Sequence, residues 1–281
     1  MAYKTVLVHV DQSKHLEARV NIAAKIAMTE NAHLIGAAMT GISRFIRDTT
    51  IANPMDPAMG PALDKLRDRA NTALAAYESM VQKTGVNSYE KHLVDDEAAG
   101  GISLQARYCD LTILGQEDPD EPSPALTSGF PEFVALSSGS PTLIVPSAGR
   151  FDTLGERVLV AWNASSEAMH AVRGALPLLR RAKNVDVVVY NAATRIDVYG
   201  DEPGADIALF LARHGVTVNV RQEEIGSEID VGNALLSQAA TLGSDLLVMG
   251  CYGHSRFREM LLGGATRVIL ESMTLPVLMA H

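Results

Sequence analysis

The chain has 281 residues, 47% of them hydrophobic, which is enough for one to two domains with a sizeable buried core. Its net charge of −9 and pI near 5.4 argue against nucleic acid as a partner, because there is no basic stripe to displace phosphate counterions. No apolar run approaches the roughly 20 residues needed to cross a bilayer, so no membrane partner is expected.

The N-terminus, Met1-Ala2-Tyr3-Lys4, leads straight into the apolar run Val6-Leu7-Val8-His9-Val10, with no charged-then-apolar signal segment. Only two cysteines occur, Cys109 and Cys251, and they read as free thiols in a reducing compartment. A cytoplasmic location is the expectation. His9 lies inside the first run and reads as a satisfied core residue rather than a proton shuttle.

Residues Thr40 to Leu63 follow the second run. They carry three prolines, two methionines and several small residues around Ile51 to Pro61, which predicts a loop capping the end of its own sheet. Asp95-Asp96-Glu97 reads as a solvated turn before a helix. After Gly115 the chain reads Gln116-Glu117-Asp118-Pro119-Asp120-Glu121-Pro122, with four carboxylates in seven residues.

Past Pro146 the pattern starts again. Val6 to Ser13 is answered by Val158 to Ser165, Asp110 to Gly115 by Asp245 to Gly250, and Ser140 to Pro146 by Leu275 to His281. A repeat this long implies two tandem copies of one domain, residues 1–146 and 155–281, with a polar linker near Ser147-Ala148-Gly149-Arg150. In the second copy the expected strands are 157–161, 185–191, 216–222, 245–250 and 276–280. The expected helices are 166–180, 204–214, 229–242 and 265–273. The strands read as continuous apolar runs, the pattern of parallel strands covered on both faces. Each copy is therefore expected to be a doubly wound α/β sandwich, a five-stranded parallel sheet flanked by helices. Ligands in such sheets sit beyond the carboxyl ends of the strands, where strand order reverses.

In the second copy that place is Gly250 to Thr266, reading GCYGHSRFREMLLGGAT between a buried strand and a helix. A glycine-bearing loop running into a helix N-terminus exposes unpaired N–H groups that suit phosphate. The spacing is neither the Walker pattern nor G-x-G-x-x-G. Gly250-x2-Gly253-x9-Gly263 resembles the ATP-binding loop of the universal stress protein family, and with the repeat the resemblance extends over nearly the whole chain as two such domains in tandem.

The resemblance implies strand order 3-2-1-4-5, with the two copies packed as an intrachain pseudo-dimer through their last strands. A homodimer and an unidentified protein partner are further expectations. It also implies an acidic residue after strand 1 bonded to adenosine and a glycine loop on ribose and phosphates. The first copy keeps the acid as Asp11 but replaces the loop with carboxylates; the second keeps the loop but has Asn163, which retains an acceptor. The family's hydroxyl residue after the third glycine is Gly264 here, with Thr266 two residues on. The implied ligand is ATP, or ADP or AMP, with Mg2+ as an accompanying ion. The expected contacts are Ala161, Trp162, Asn163, Val189, Gly250, Gly253, His254, Arg256, Gly263, Gly264, Ala265 and Thr266.

Arg256, Arg258 and Arg267 give this loop a local positive charge, and arginine's planar fork suits phosphate oxygens. The indole of Trp162 can stack on a base or pack in the core. Catalytic signals are thin. Cys251-x2-His254 offers two zinc-ligand types without a third, so no metal site is expected, and Ser165, Ser166 and His170 lack an orienting carboxylate. A nucleotide-binding regulatory module is the leading reading. A scaffold acting through protein contacts and a slow ATPase are the alternatives, the latter without an evident general base.

Overall fold

The structure, a computed structural model, describes residues 2–43, 59–121, 129–195, 202–226, 228–251 and 264–281. The chain forms two compact units, residues 2–142 and 143–281.

The first unit runs β1 (Thr5–His9), α1 (Leu16–Glu30), β2 (His33–Met39), α2 (Met59–Thr84), β3 (Tyr89–Val94), α3 (Ala98–Ala106), β4 (Leu111–Gly115) and α4 (Phe130–Ser137), and β5 (Thr142–Val145) follows. Its sheet order is β3-β2-β1-β4-β5. The second unit runs β6 (Arg157–Ala161), α5 (Ser166–Leu179), β7 (Asn184–Tyr190), a 3-10 turn (Ala192–Arg195), α6 (Ala205–Arg213), β8 (Asn219–Glu223), α7 (Val231–Leu242), β9 (Leu246–Gly250), α8 (Ala265–Ser272) and β10 (Val277–Ala280). Its order is β8-β7-β6-β9-β10. Both are the 3-2-1-4-5 arrangement of a doubly wound parallel sheet. The strand order reverses between β1 and β4 and between β6 and β9, where Val6 pairs with Leu111 and Val158 with Leu246.

The central strands form because their β-branched and leucine side chains are buried on both faces: Val6, Leu7, Val8, Leu111, Ile113, Leu159, Val160, Leu247 and Val248 have no exposed surface. The edge strands depart from the expected continuous apolar runs. β3 (Tyr-Glu-Lys-His-Leu-Val) carries charge at exposed positions and β8 (Asn-Val-Arg-Gln-Glu) at half-exposed ones, as an edge requires.

Local chemistry sets the boundaries. Asp230 accepts from the Gly232 and Asn233 N–H groups to start α7, and Gly243 at φ +61° ends it. The strand expected over 216–222 begins only at Asn219. The Val216 N–H bonds back to the Leu211 carbonyl across Gly215 at φ +79°, so Val216 closes α6 instead of opening β8. The loop expected over Thr40 to Leu63 is also shorter. α2 already begins at Met59 and takes Pro61 into its first turn, where a missing N–H removes no intrahelical bond. The central part of that segment, residues 44–58, lies outside the described residues. The expected solvated turn at Asp95 to Glu97 is partly interior: Asp96 is buried and accepts from the Glu97 N–H at 3.0 Å, while Asp95 pairs with Arg67 at 2.7 Å.

Among the described residues no helix is long and apolar enough to cross a membrane. Both cysteines are free, and burial pushes the Cys109 thiol up to about 11, away from thiolate chemistry.

Candidate functional site

At the carboxyl ends of β1 and β4 the first domain fills its own cleft. His9, the last residue of β1, is buried and packs against Phe130, the first residue of α4, with ring centroids 5.0 Å apart and the planes tilted by 53°. Burial, and secondarily Arg19, push the His9 imidazole down to about 4 against the opposing pull of Asp11, so the ring is neutral at pH 7. This matches its reading as a core residue.

The α4 N-terminus is occupied as well: the Phe130 N–H donates to Glu117 Oε1 at 2.8 Å. A carboxylate from the preceding loop thus sits on the helix end, where an external anion would otherwise be favoured. On the opposite face Arg19 is buried. It donates from a terminal guanidinium nitrogen to Asp11 Oδ1 at 2.5 Å and from Nε to the His9 carbonyl at 3.3 Å. The same guanidinium lies where a Cβ on Gly115 would be, so that glycine serves side-chain packing. Burial alone would raise the Asp11 carboxyl, but Arg19, His9 and two hydrogen bonds from Ser13 outweigh it and hold it well below the usual carboxylate range. The acid that the resemblance assigns to adenosine is therefore committed to Arg19 and Ser13.

The corresponding end of the second domain is built from smaller groups. Ala161 ends β6 where His9 ends β1, and Ala265 opens α8 where Phe130 opens α4. Both alanines are half-buried. No side chain of the N-cap residue Gly264 caps α8. The α1-side space filled by Arg19 in the first domain is taken up differently here. The first turn of α5 closes directly onto Gly250, where a Cβ would lie 2.5 Å from the Ala168 nitrogen and 2.7 Å from the Glu167 carbonyl carbon. Gly250 is thus a close-approach glycine between strand and helix, not a turn glycine.

The other expected residues are placed as follows. Trp162 is half-buried and extends the ladder, its N–H donating to the Val188 carbonyl at 2.9 Å. Asn163 is exposed, and its Oδ1 accepts from the Ser165 N–H at 3.1 Å, the same loop-forming contact that Asp11 makes with Ser13. Ala164 between them takes φ +58°, an uncommon conformation for alanine that marks this loop as constrained. Ser165 then caps α5 by accepting from the Ala168 N–H at 3.1 Å. Val189 is fully buried, so its side chain belongs to the core of the domain, against the start of α6 at Gly204. Thr266 is buried in the first turn of α8. Arg267 is exposed and bonds Glu271 one turn on at 2.7 Å, a solvated pair instead of a phosphate contact. Gly253, His254, Arg256, Arg258 and Gly263 lie outside the described residues. His170, considered with Ser165 and Ser166, turns away to the His281 carbonyl at 3.2 Å.

The local sequence signal that sequence reasoning missed is the pairing of small residues, Ala161 with Ala265, against His9 with Phe130. Each pair is 104 or more residues apart in the chain, yet each can be read by laying one repeat over the other.

Comparison with known proteins agrees with this architecture. Residues 155–281 match the family model described as the universal stress protein family. No curated protein sequence matches the chain. Among solved structures, a universal stress protein from Archaeoglobus fulgidus aligns over 98% of this chain and 94% of its own, with a TM-score of 0.71 at 15% identity. A functionally unknown protein from Pseudomonas aeruginosa aligns over 99% and 92%, at a TM-score of 0.60 and 16% identity. A putative universal stress protein from another strain of that species covers the same shares at 0.60 and 17% identity. At these identities the likeness is one of fold, and it spans both domains. The second domain of this chain is a member of the universal stress protein family, and the first repeats its sheet order in tandem.

Proposed function

We propose that the second domain binds one adenine nucleotide, ATP or a close relative, at the carboxyl ends of β6 and β9, and that the chain works as a ligand-responsive regulatory module in stress physiology. The observation carrying this reading is the contrast at the strand-order reversal. His9, Phe130 and the Glu117 carboxylate fill that position in the first domain, while in the second alanines 161 and 265 stand there and, among the described residues, no side chain caps the start of α8. The family assignment of residues 155–281 supports the ligand class, as does the Gly250/Gly253/Gly263 spacing.

In this reading the N–H groups opening α8 meet phosphate oxygens. Asn163 offers its free amide hydrogens to the nucleoside while its carbonyl holds the loop. Mg2+ accompanies the phosphates as part of the ligand. The loop resemblance that carries this reading is to a nucleotide-binding loop, so binding rather than turnover is the role proposed.

The test is to transplant the first domain's filling. A chain carrying Ala161→His with Ala265→Phe should keep its far-ultraviolet circular dichroism and lose calorimetric ATP binding by at least tenfold. Undiminished binding in the folded variant removes this cleft as the site.

A further inference from the structure

We propose that His15, Asp118 and Glu121 of the first domain form a site for one divalent transition-metal ion of the zinc class. The three residues come from two separate connections, His15 from the turn before α1 and the two acids from the loop after β4, and the fold brings them together across 103 residues of chain. The imidazole nitrogen and the two carboxylate oxygens all lie within 4.8 Å of one another. His15 Nε2 stands 2.8 Å from Asp118 Oδ2 and 3.6 Å from Glu121 Oε2. Ligands bonded to a tetrahedral ion at about 2.1 Å stand about 3.4 Å apart, so the observed separations need only small adjustments.

Backbone and ammonium donors, and not the imidazole alone, bring the two carboxylates together. One Nε2 proton serves one carboxylate, and two carboxylates turned toward the same nitrogen repel each other. Backbone donors hold them there: the Asp120 N–H binds Asp118 Oδ1 at 3.0 Å, and the Lys14 N–H binds both Glu121 oxygens at 3.1 and 3.3 Å. Asp118 Oδ2, the oxygen the Asp120 N–H does not take, faces His15 Nε2 and the Lys14 ammonium.

The cluster already collects one. The Lys14 ammonium lies 2.9 Å from Asp118 Oδ2 and 3.9 Å from Glu121 Oε2, standing where positive charge is wanted. Its side chain is 59% exposed, so it can leave for water at little cost. An ammonium can only donate a hydrogen bond to the imidazole lone pair, whereas an ion of the zinc class forms a coordinate bond with it, and that ligand separates such ions from Mg2+ or Ca2+. On binding, the ion takes the place of the proton shared by Nε2 and Oδ2, with a fourth position open to water. Nothing in this site depends on the nucleotide reading of the second domain.

Chelator-treated full-length protein should be titrated calorimetrically with ZnCl2, and with MgCl2 as control. The expected result is one Zn2+ per chain and no Mg2+ signal. Zinc binding should weaken at least tenfold in His15→Ala and in Glu121→Gln, and tighten severalfold in Lys14→Met, where the competing ammonium is gone. Absence of zinc binding overturns the proposal, and so does zinc binding that is unchanged in Glu121→Gln and His15→Ala. If His15→Ala fails to fold, the opposite responses of Glu121→Gln and Lys14→Met still decide it.

Discussion

At matching ends of their sheets the two domains solve the same problem in opposite ways. A strand-order reversal leaves a crevice with a helix N-terminus pointing at it. The first domain closes it with its own groups: His9 on Phe130 through one face, Arg19 on Asp11 through the other, and the Glu117 carboxylate on the helix end. The second domain puts alanine at the first pair of positions and lets α5 close onto Gly250 in place of an arginine. The lesson is that one sheet order can fill this crevice with its own ring and carboxylate in one copy and place alanines there in the other.

The largest effect should come from breaking the internal ion pair. Arg19→Met leaves Asp11 largely buried without its partner, and removing one member of such a pair costs about 3–5 kcal/mol. Urea unfolding followed by circular dichroism measures it. A loss below about 1 kcal/mol would show that the pair behaves as a solvated one.

Acid should separate the domains next. The His9 imidazole titrates at about 4 in the fold and at 6.5 unfolded, so the unfolded chain takes up the proton first. Stability is therefore full above pH 6.5 and is lost as pH falls from 6.5 toward 4, by about 3 kcal/mol in all. Asp11, also depressed, adds a loss of the same sign at lower pH. The second domain has Ala161 at this position and contributes nothing of the kind. Urea midpoints at pH 7, 5.5 and 4.5 should show the slope in the native sequence and a flatter one in His9→Leu. Equal slopes would mean that His9 is solvated.

Much of the architecture is legible in the sequence because the central strands are buried on both faces and announce themselves as apolar runs. β6, α5, β9 and α8 begin and end within a residue or so of their expected positions. Errors fall where one residue has two local options. Val216 reads as a β-former but closes a helix across Gly215, and Pro61 reads as a breaker but fits a first turn. The site is less legible. Asn163, read as a nucleoside contact, also builds its own loop. Gly250, read as a ligand contact, is a close-packing position between β9 and α5. Val189 and Arg267 face the core and the solvent. Neither the His9–Phe130 packing nor the meeting of His15 with Asp118 and Glu121 follows from spacing, because each joins residues more than 100 positions apart whose contact exists only once β1 and β4 are neighbours. The resemblance to the universal stress protein loop singles out one end of the sheet, and the side chains that differ between the copies there are what the structure adds.

The most direct test of this contrast is the stoichiometry of ATP binding to the intact chain by isothermal titration calorimetry with Mg2+ present. One ATP per chain is predicted, because the proposed reading assigns the ligand to the second domain and the His9, Phe130 and Glu117 groups to the same place in the first. Two equivalent sites would show that the first domain's filling yields to nucleotide, and no binding would show that alanines at positions 161 and 265 do not make a site; either result contradicts the account.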